Sequence, residues 1–258
     1  MSYTYKNIED MQIAIYDSVS FAKLKKAGQL AKQTLLYMGS LVKEGITTNE
    51  IDKLGHEYML KHNAKPATLG YKGYPKSCCI SLNNEICHGI PSDKKLINGD
   101  ILNIDVTVIL DGYYGDTSAM FSVGNISPKA RHLIDITKQC LDEAIMLLKP
   151  GCTLGDIGAV IQKIAHKNHF SVVEDFCGHG IGHVFHQDPQ VLHYGKAGSG
   201  LVLEEGMVFT IEPMINAGKK DVRILKDGWT AVTKDFSLSA QFEHMVGITK
   251  DGAIIFTE

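Results

Sequence analysis

Between Ser20 and Val42 the apolar residues Phe21, Leu24, Ala27, Leu30, Ala31, Leu35, Met38 and Val42 recur near the period of a helix, and Gly45 follows as a terminator. One amphipathic helix is predicted there. Thr48, with Glu50 and Ile51 after it, is placed to cap a second helix reaching about Lys61. A loop rich in Gly, Tyr and Pro (Gly70 to Lys76) leads into apolar Cys79 to Leu82, which reads as a strand followed by a turn. The same order then returns. A helix is predicted from about Ala130 to Leu148, a break at Pro150-Gly151, a helix from Leu154 to about His166, and strands from there to the end.

The return extends to individual residues. Lys43-Glu44-Gly45-Ile46-Thr47 resembles Lys149-Pro150-Gly151-Cys152-Thr153 at an offset of 106. Gly99 stands six residues before Asp105 as Gly206 stands six before Glu212, an offset of 107. His88-x-x-Pro91 echoes His186-x-x-Pro189. This predicts a single domain over residues 1–258, built from two pseudo-symmetric α+β halves at roughly 20–125 and 126–258. By symmetry the halves are expected to face each other, with the recurring polar residues in a cleft between them.

Within the first half, Ile101 to Leu110 and Tyr113 to Val123 read as two strands joined by Asp111-Gly112, a dipeptide in which both positions tolerate positive φ. A two-residue turn pairs Leu110 with Tyr113, Thr107 with Asp116 and Asp105 with Ser118. Both aspartates then share one face as diagonal neighbours about 7 Å apart. A three-residue turn would put them on opposite faces, so the reading depends on that turn. On a bare sheet face the two carboxylates would repel, and a shared dication would remove the conflict.

Composition narrows the class. With 258 residues, 44% of them hydrophobic, the chain can bury a sizeable core. The formal net charge is −3, and its 26 basic residues include only two arginines, Arg131 and Arg223, which argues against a nucleic-acid partner. The segment Met1 to Tyr16 carries Lys6, Glu9 and Asp10 and shows no leader-peptide core, and no run approaches membrane-spanning length. A cytoplasmic protein without membrane partners is expected. Cys78, Cys79, Cys87, Cys140, Cys152 and Cys177 contain no C-x-x-C pair and read as reduced thiols.

Further candidates for chemistry lie in the second half: His179 and His186 in Cys177-Gly-His-Gly-Ile-Gly-His-Val-Phe-His186, Glu212 after the apolar run Met207 to Ile211, and Glu243 in Gln-Phe-Glu-His. Burying a carboxylate in such a run costs several kcal/mol unless it is paired or bound to metal. Each alone has a plainer reading, as a solvated strand acid or a hydrogen-bonded structural histidine. Six of them, with Asp105 and Asp116, in halves that echo each other, favour a metal site. Four carboxylates and one imidazole suit two hard divalent ions better than a structural zinc. Two such ions typically sit about 3.5 to 4 Å apart and share a bridging water of lowered pKa, which makes metal-assisted hydrolysis the natural reaction.

Seven ordered motifs, Tyr71-Lys-Gly-Tyr-Pro-Lys-Ser77, Cys87-His-Gly-Ile-Pro91, Asn103-Ile-Asp105, Gly115-Asp-Thr117, Gly178-His-Gly-Ile-Gly182, Thr210-Ile-Glu-Pro213 and Gln241-Phe-Glu243, resemble the type I methionine aminopeptidases over nearly the whole chain. The resemblance implies the duplicated "pita-bread" fold, with antiparallel sheets covered by helices, in a single catalytic domain. It implies removal of the N-terminal methionine from nascent or newly made polypeptides, preferably before a small second residue.

The resemblance also implies Asp105, Asp116, His179, Glu212 and Glu243 as ligands of two divalent ions (Co, Mn, Fe or Zn). His88 would contact or protonate the scissile nitrogen, His186 would polarise the methionine carbonyl, and Glu212 would handle the proton of the attacking water. The substrate's free α-amine would replace a solvent ligand near Asp116, an option closed to an internal peptide nitrogen. Tyr71, Tyr74, Cys79, Phe185 and Trp229 would wall the methionine pocket, where a polarizable thioether suits aromatic surfaces. Thr68 departs from the cysteine common at its position. Asn83 and Ser239 stand where a monovalent cation can bind. His183 and His244 are not carried over as ligands. Substrate chain ends met near the ribosome are the expected partners, and a monomer is expected.

Three other readings compete. A proline-specific peptidase shares the fold and metal centre, but the roughly 20 residues before the first helix leave no room for the extra domain such enzymes commonly carry. A non-catalytic peptide binder has no need for a complete ligand set. A thiol hydrolase using Cys87 with His88 is weak, because neighbours on an extended segment point opposite ways.

Overall fold

The computed structural model describes residues 3–8 and 11–258; Met1, Ser2, Glu9 and Asp10, within the segment read for a leader, lie outside the described residues. Ahead of the first helix is an element that the hydrophobic pattern did not suggest, an antiparallel hairpin of β1 (Tyr3–Ile8) and β2 (Met11–Tyr16). Asp17 then caps α1 (Ser18–Ser40), its carboxylate accepting the Ser20 N–H at 2.8 Å. The helix therefore starts two residues before the predicted Ser20.

The second helix, α2 (Thr48–Lys61), is capped by Thr47 rather than Thr48. The reason is reach: from Thr47, Glu50 is three residues on, and the two exchange hydrogen bonds of 2.8 and 3.1 Å in a capping box. Thr48 lies in the first turn, its hydroxyl donating to the Ser92 carbonyl at 3.1 Å. Strands β3 (Lys65–Pro66), β4 (Cys79–Leu82), β5 (Glu85–Cys87), β6 (Ile101–Leu110) and β7 (Tyr113–Ser122) complete the first half.

The second half repeats the order. Helix α3 (Pro128–Met146) begins two residues before the predicted Ala130, because Ser127 caps it and Pro128 supplies a fitting first-turn φ, and it ends short of Leu148. Thr153 and Asp156 form the capping box of α4 (Leu154–Lys167). Strands β8 (Ser171–Val172), β9 (Gly178–Gly180), β10 (Gln187–Val191), β11 (Val208–Ile211), β12 (Met214–Asn216), β13 (Val222–Ile224), β14 (Ala231–Thr233), β15 (Ser239–Gln241), β16 (Glu243–Thr249) and β17 (Gly252–Ile255) follow.

The echo seen in the sequence holds in the hydrogen bonding. Gly45 donates to Leu96 and Leu96 to Ile46, at 2.8 and 2.9 Å; Gly151 donates to Leu203 and Leu203 to Cys152, at 3.0 and 2.7 Å. The halves join edge to edge in one nine-stranded antiparallel sheet of order β10-β9-β11-β16-β7-β6-β3, with β4 also on β6 and β17 on β16, and the recurring polar residues Asp105, Glu212, His88 and His186 come together in one cavity. The junction is β7 with β16, where Ser118 pairs with Glu243 and Thr117 with His244. Edge pairing satisfies backbone groups that two facing sheets would leave to solvent.

Helices cover one face of this sheet. Leu102, Ile104, Val106 and Val108 of β6 pack with Leu30, Ala31, Leu35 and Met38 of α1 in one buried cluster, and α3 joins Phe209, Ile211, Val246 and Ile248 in another. Close approach of α1 to β7 requires Gly115, because a Cβ there would sit 2.3 Å from the Ala27 carbonyl. The alternation of β6 leaves Asn103, Asp105 and Thr107 on the opposite face. Among the described residues no helix is long and apolar enough to cross a membrane.

Candidate metal centre

The hairpin register decides the first half of the site. Leu110 pairs with Tyr113, Thr107 with Asp116 and Asp105 with Ser118, and Asp111 and Gly112 take φ of 51° and 79°. Both aspartates therefore share one face, as the two-residue turn predicts. Across the junction Glu243 pairs with the same Ser118, and Glu212 lies one residue beyond the last β11–β16 pair, Ile211 with His244. Cys79 pairs with Asp105 from the other side. Five neighbouring strands thus bring Cys79, Asp105, Ser118, Glu243 and Glu212 into one row, with Asp116 in the next.

His179 enters from β9. Its Nε2 lies 3.8 Å from Asp116 and 3.7 Å from Glu212, and ligand atoms of Asp116, His179 and Glu243 all fall within 4.8 Å of one another. Small residues allow this approach: a Cβ on Gly178 would stand 2.3 Å from the Thr210 carbonyl. The carboxylates are held from behind. Thr107 donates to Asp116 at 2.8 Å, Thr210 to Glu212 at 2.8 Å and the Gln241 amide to Glu212 at 3.3 Å. Asn103 ties the halves together, its amide reaching Ser118 Oγ at 3.2 Å and the Gln241 carbonyl at 2.8 Å.

Electrostatics identify what this cluster lacks. Burial raises the carboxyl of Asp105 to about 7 and that of Glu212 to about 8, while burial and then neighbouring acids push Asp116 and Glu243 well up. His179 is the only basic side chain within ion-pair distance of these acids among the described residues, and burial lowers it to about 4, leaving it neutral. Four acids, Asp116 and Glu243 buried and Asp105 and Glu212 partly so, without a cationic side chain fit divalent metal, with an oxygen-rich set completed by one imidazole nitrogen.

A cavity of about 330 Å³ opens on this cluster, and every residue named for metal, catalysis or the methionine pocket lines it: Asp105, Asp116, His179, Glu212, Glu243, His88, His186, Tyr71, Tyr74, Cys79, Phe185 and Trp229, whereas Asn83 and Ser239 lie outside its lining. His186 stacks on Tyr71 at 5.1 Å and lies 4.1 Å from the His179 ring; Phe185 meets Tyr71 at 4.8 Å, and Tyr74 meets Trp229 edge-on at 5.1 Å. His88 holds φ of 55°, a strained value for a residue with a side chain, and its ring meets Phe176 edge-on at 5.4 Å. Burial lowers both His88 and His186, so each is a neutral ring with one N–H to donate. Thr68 is buried against the cavity, its hydroxyl without a hydrogen-bond partner.

Several contributors were given no role from the sequence. Lys72, Asp175, Phe176, Cys177 and Met214 line the cavity, and His193, fully buried, accepts the Glu212 N–H through Nε2 at 3.1 Å. Being single residues outside any periodic break, they could be found only from contacts. His183 and His244 lie outside the cavity lining, bonded to the Gly112 carbonyl and the Thr257 hydroxyl. Burial pushes the Cys87 thiol well up, which removes the thiolate that a thiol hydrolase would need. Asn83 and Ser239 are neighbours, with the Ser239 N–H donating to the Asn83 carbonyl at 2.8 Å.

Residues 22–250 match the model of metallopeptidase family M24. The chain is 54% identical to methionine aminopeptidase of Rickettsia prowazekii over 96% of both chains, and 51% identical to that of Escherichia coli K12 over 96% of this chain and 94% of the relative. The crystal structure of the Rickettsia enzyme superposes with a TM-score of 0.94, covering 95% of this chain and all of the other. Prolidase from Pyrococcus furiosus, at 24% identity and a TM-score of 0.76, shares the fold; this chain covers 65% of it.

Proposed function

This chain belongs to metallopeptidase family M24, and on that premise we infer that it is an aminopeptidase releasing methionine from the N-terminus of polypeptides. The observation that carries the reading is the convergence of Asp116, His179 and Glu243 in a cavity otherwise walled by Tyr71, Tyr74, Phe185 and Trp229, which joins metal-binding groups to an apolar slot for one side chain.

In this reading Asp105, Asp116, His179, Glu212 and Glu243 hold the divalent metal, two ions in number, with Co, Mn, Fe and Zn the candidates. The metal, when bound, supplies Lewis acidity and a water of lowered pKa. The remaining work falls to the chain. Glu212 accepts a proton from the attacking water as oxygen adds to the methionine carbonyl carbon. The His186 N–H faces the carbonyl oxygen and stabilises the negative charge that develops there. The His88 N–H donates a hydrogen bond to the amide nitrogen, and the proton taken up by Glu212 passes to that nitrogen as the C–N bond breaks, leaving free methionine and a shortened chain. The free α-amine of a chain end is received beside Asp116, and Tyr71, Tyr74, Cys79, Phe185 and Trp229 receive the thioether.

As the likeness to methionine aminopeptidases implies, small second residues are preferred. Cytoplasmic action as a monomer on chain ends near the ribosome, without nucleic acid or membrane, accompanies this reading, and Asn83 with Ser239 offers a place for a monovalent cation. The test is methionine release from a Met-Ala-Ser peptide by chelator-stripped protein before and after divalent metal is restored, with Ala-Pro-Ser in parallel. Restored cleavage of the first peptide alone supports the reading; cleavage of the second favours a proline-specific peptidase.

A further inference from the structure

The loop between His179 and His186 is tied to a residue far away in sequence. Tyr16, at the end of β2 and 4% exposed, places its phenol oxygen where it accepts both the His183 backbone N–H and the Gln187 side-chain amide, each at 3.2 Å. The approach depends on Gly182, because a Cβ there would lie 2.0 Å from that oxygen. Tyr16 is itself fixed, its N–H donating to the Gly206 carbonyl at 2.8 Å beside the bridge of Ile15 to Met207. The loop is also held before the turn by Ile181 N–H to the Val208 carbonyl at 3.2 Å and Tyr114 N–H to the Gly182 carbonyl at 2.8 Å, and at His183 by its ring Nδ1 on the Gly112 carbonyl at 2.9 Å.

The two groups that Tyr16 gathers flank Phe185 and His186, the part of the loop that enters the cavity. Fixing residues 183 and 187 to one atom fixes the base of the turn, and with it the direction in which His186 projects. We propose that Tyr16 is a positioning residue for the reaction, its phenol oxygen clamping the ends of the 183–187 turn so that His186 is held against the carbonyl oxygen of the substrate. This makes the N-terminal hairpin a working part of the active site, and it rests on the role given above to His186.

The test is Tyr16→Phe in the full chain loaded with metal, since this change keeps the ring against Gly182 and removes only the acceptor. On Met-Ala-Ser, kcat should fall about tenfold with KM within about twofold, as expected for a small misplacement of a group that acts on the transition state. Metal content should be unchanged. Independently of activity, the His183 amide should exchange with solvent faster than in the wild type. In a His186→Ala background the same change should cost nothing further, because the group it positions is gone. An equal loss in both backgrounds, no loss in the wild-type background, or unchanged exchange at His183 overturns the proposal. Gln187→Leu, which removes one donor and leaves Tyr16 intact, should reproduce part of the kcat loss; unaltered kcat counts against the clamp. If His186→Ala alone cleaves at the wild-type rate, the role of His186 falls, and the clamp's role in catalysis falls with it.

Discussion

Asp105 and Glu243, one from each half of the chain, pair with the two sides of the same residue, Ser118. Residues opposite one another in antiparallel strands project to the same face, so the two acids share a row although 138 positions separate them in sequence. The metal-binding cluster is thus a consequence of strand pairing at the junction of the halves. Changes there are expected to separate into those that remove a ligand and those that remove a group acting on substrate.

Asp116→Asn keeps shape and hydrogen bonding to Thr107 but removes a charge from the three-residue group with His179 and Glu243. Metal content measured by elemental analysis should drop, and methionine release should fall to background. Full metal content in the variant would refute Asp116 as a ligand.

His88→Ala leaves every proposed ligand in place. It should retain metal while turnover on Met-Ala-Ser falls roughly 100-fold or more, the usual worth of a hydrogen-bond donor aimed at the reacting group. Loss of metal together with activity would show that His88 acts at the metal centre instead.

Stability should depend on pH in opposite ways with and without metal. Asp105 at about 7 and Glu212 at about 8 lie above the ordinary carboxylate value of about 4. Between those limits the metal-free fold holds protons that the unfolded chain has released. Its stability contribution is therefore present below about pH 4 and is lost as pH rises toward about 8. Bound dication removes the repulsion that disfavours the ionised acids, and binding releases their protons. The gap in Tm between metal-loaded and chelator-stripped protein should widen from pH 5 to pH 8, and a constant gap would contradict this account.

Gly112→Ala tests the turn that sets the aspartate register. A Cβ at Gly112 meets nothing within 4 Å, so the cost is that of holding φ of 79° with a side chain, about 1 kcal/mol or somewhat more. Thermal melting should register this as a drop of a few degrees with metal binding intact. Inserting one glycine after Gly112 should instead abolish metal binding, because a shifted register moves Asp105 and Asp116 to opposite faces.

Much of the architecture was legible because it is set by neighbours along the chain. The apolar stripe of α1, the break at Pro150-Gly151 and the Asp111-Gly112 turn each act within a few residues, and the structure carries all three. The cap at Thr47 shows the limit of such reading: Thr48 also suits a cap, and only the distance to Glu50 separates them. The N-terminal hairpin escaped notice because β2 is held by contacts at Gly206 and Met207 that its own pattern does not encode.

From its own residues, then, the sequence determined that Asp105 and Asp116 share a face if the Asp111-Gly112 turn has two residues, and that acids and histidines interrupt apolar runs in two related halves. A turn's length fixes its parity, and a buried charge needs a partner wherever it lies. Tertiary structure alone decided that the halves join edge to edge through β7 and β16, that His179 reaches Asp116 and Glu212, that Asn103 ties the Gln241 carbonyl, and that Tyr16 grips the turn bearing His186. These contacts join residues distant along the chain. No single local preference selects them; they follow from the summed packing and edge pairing of the whole sheet.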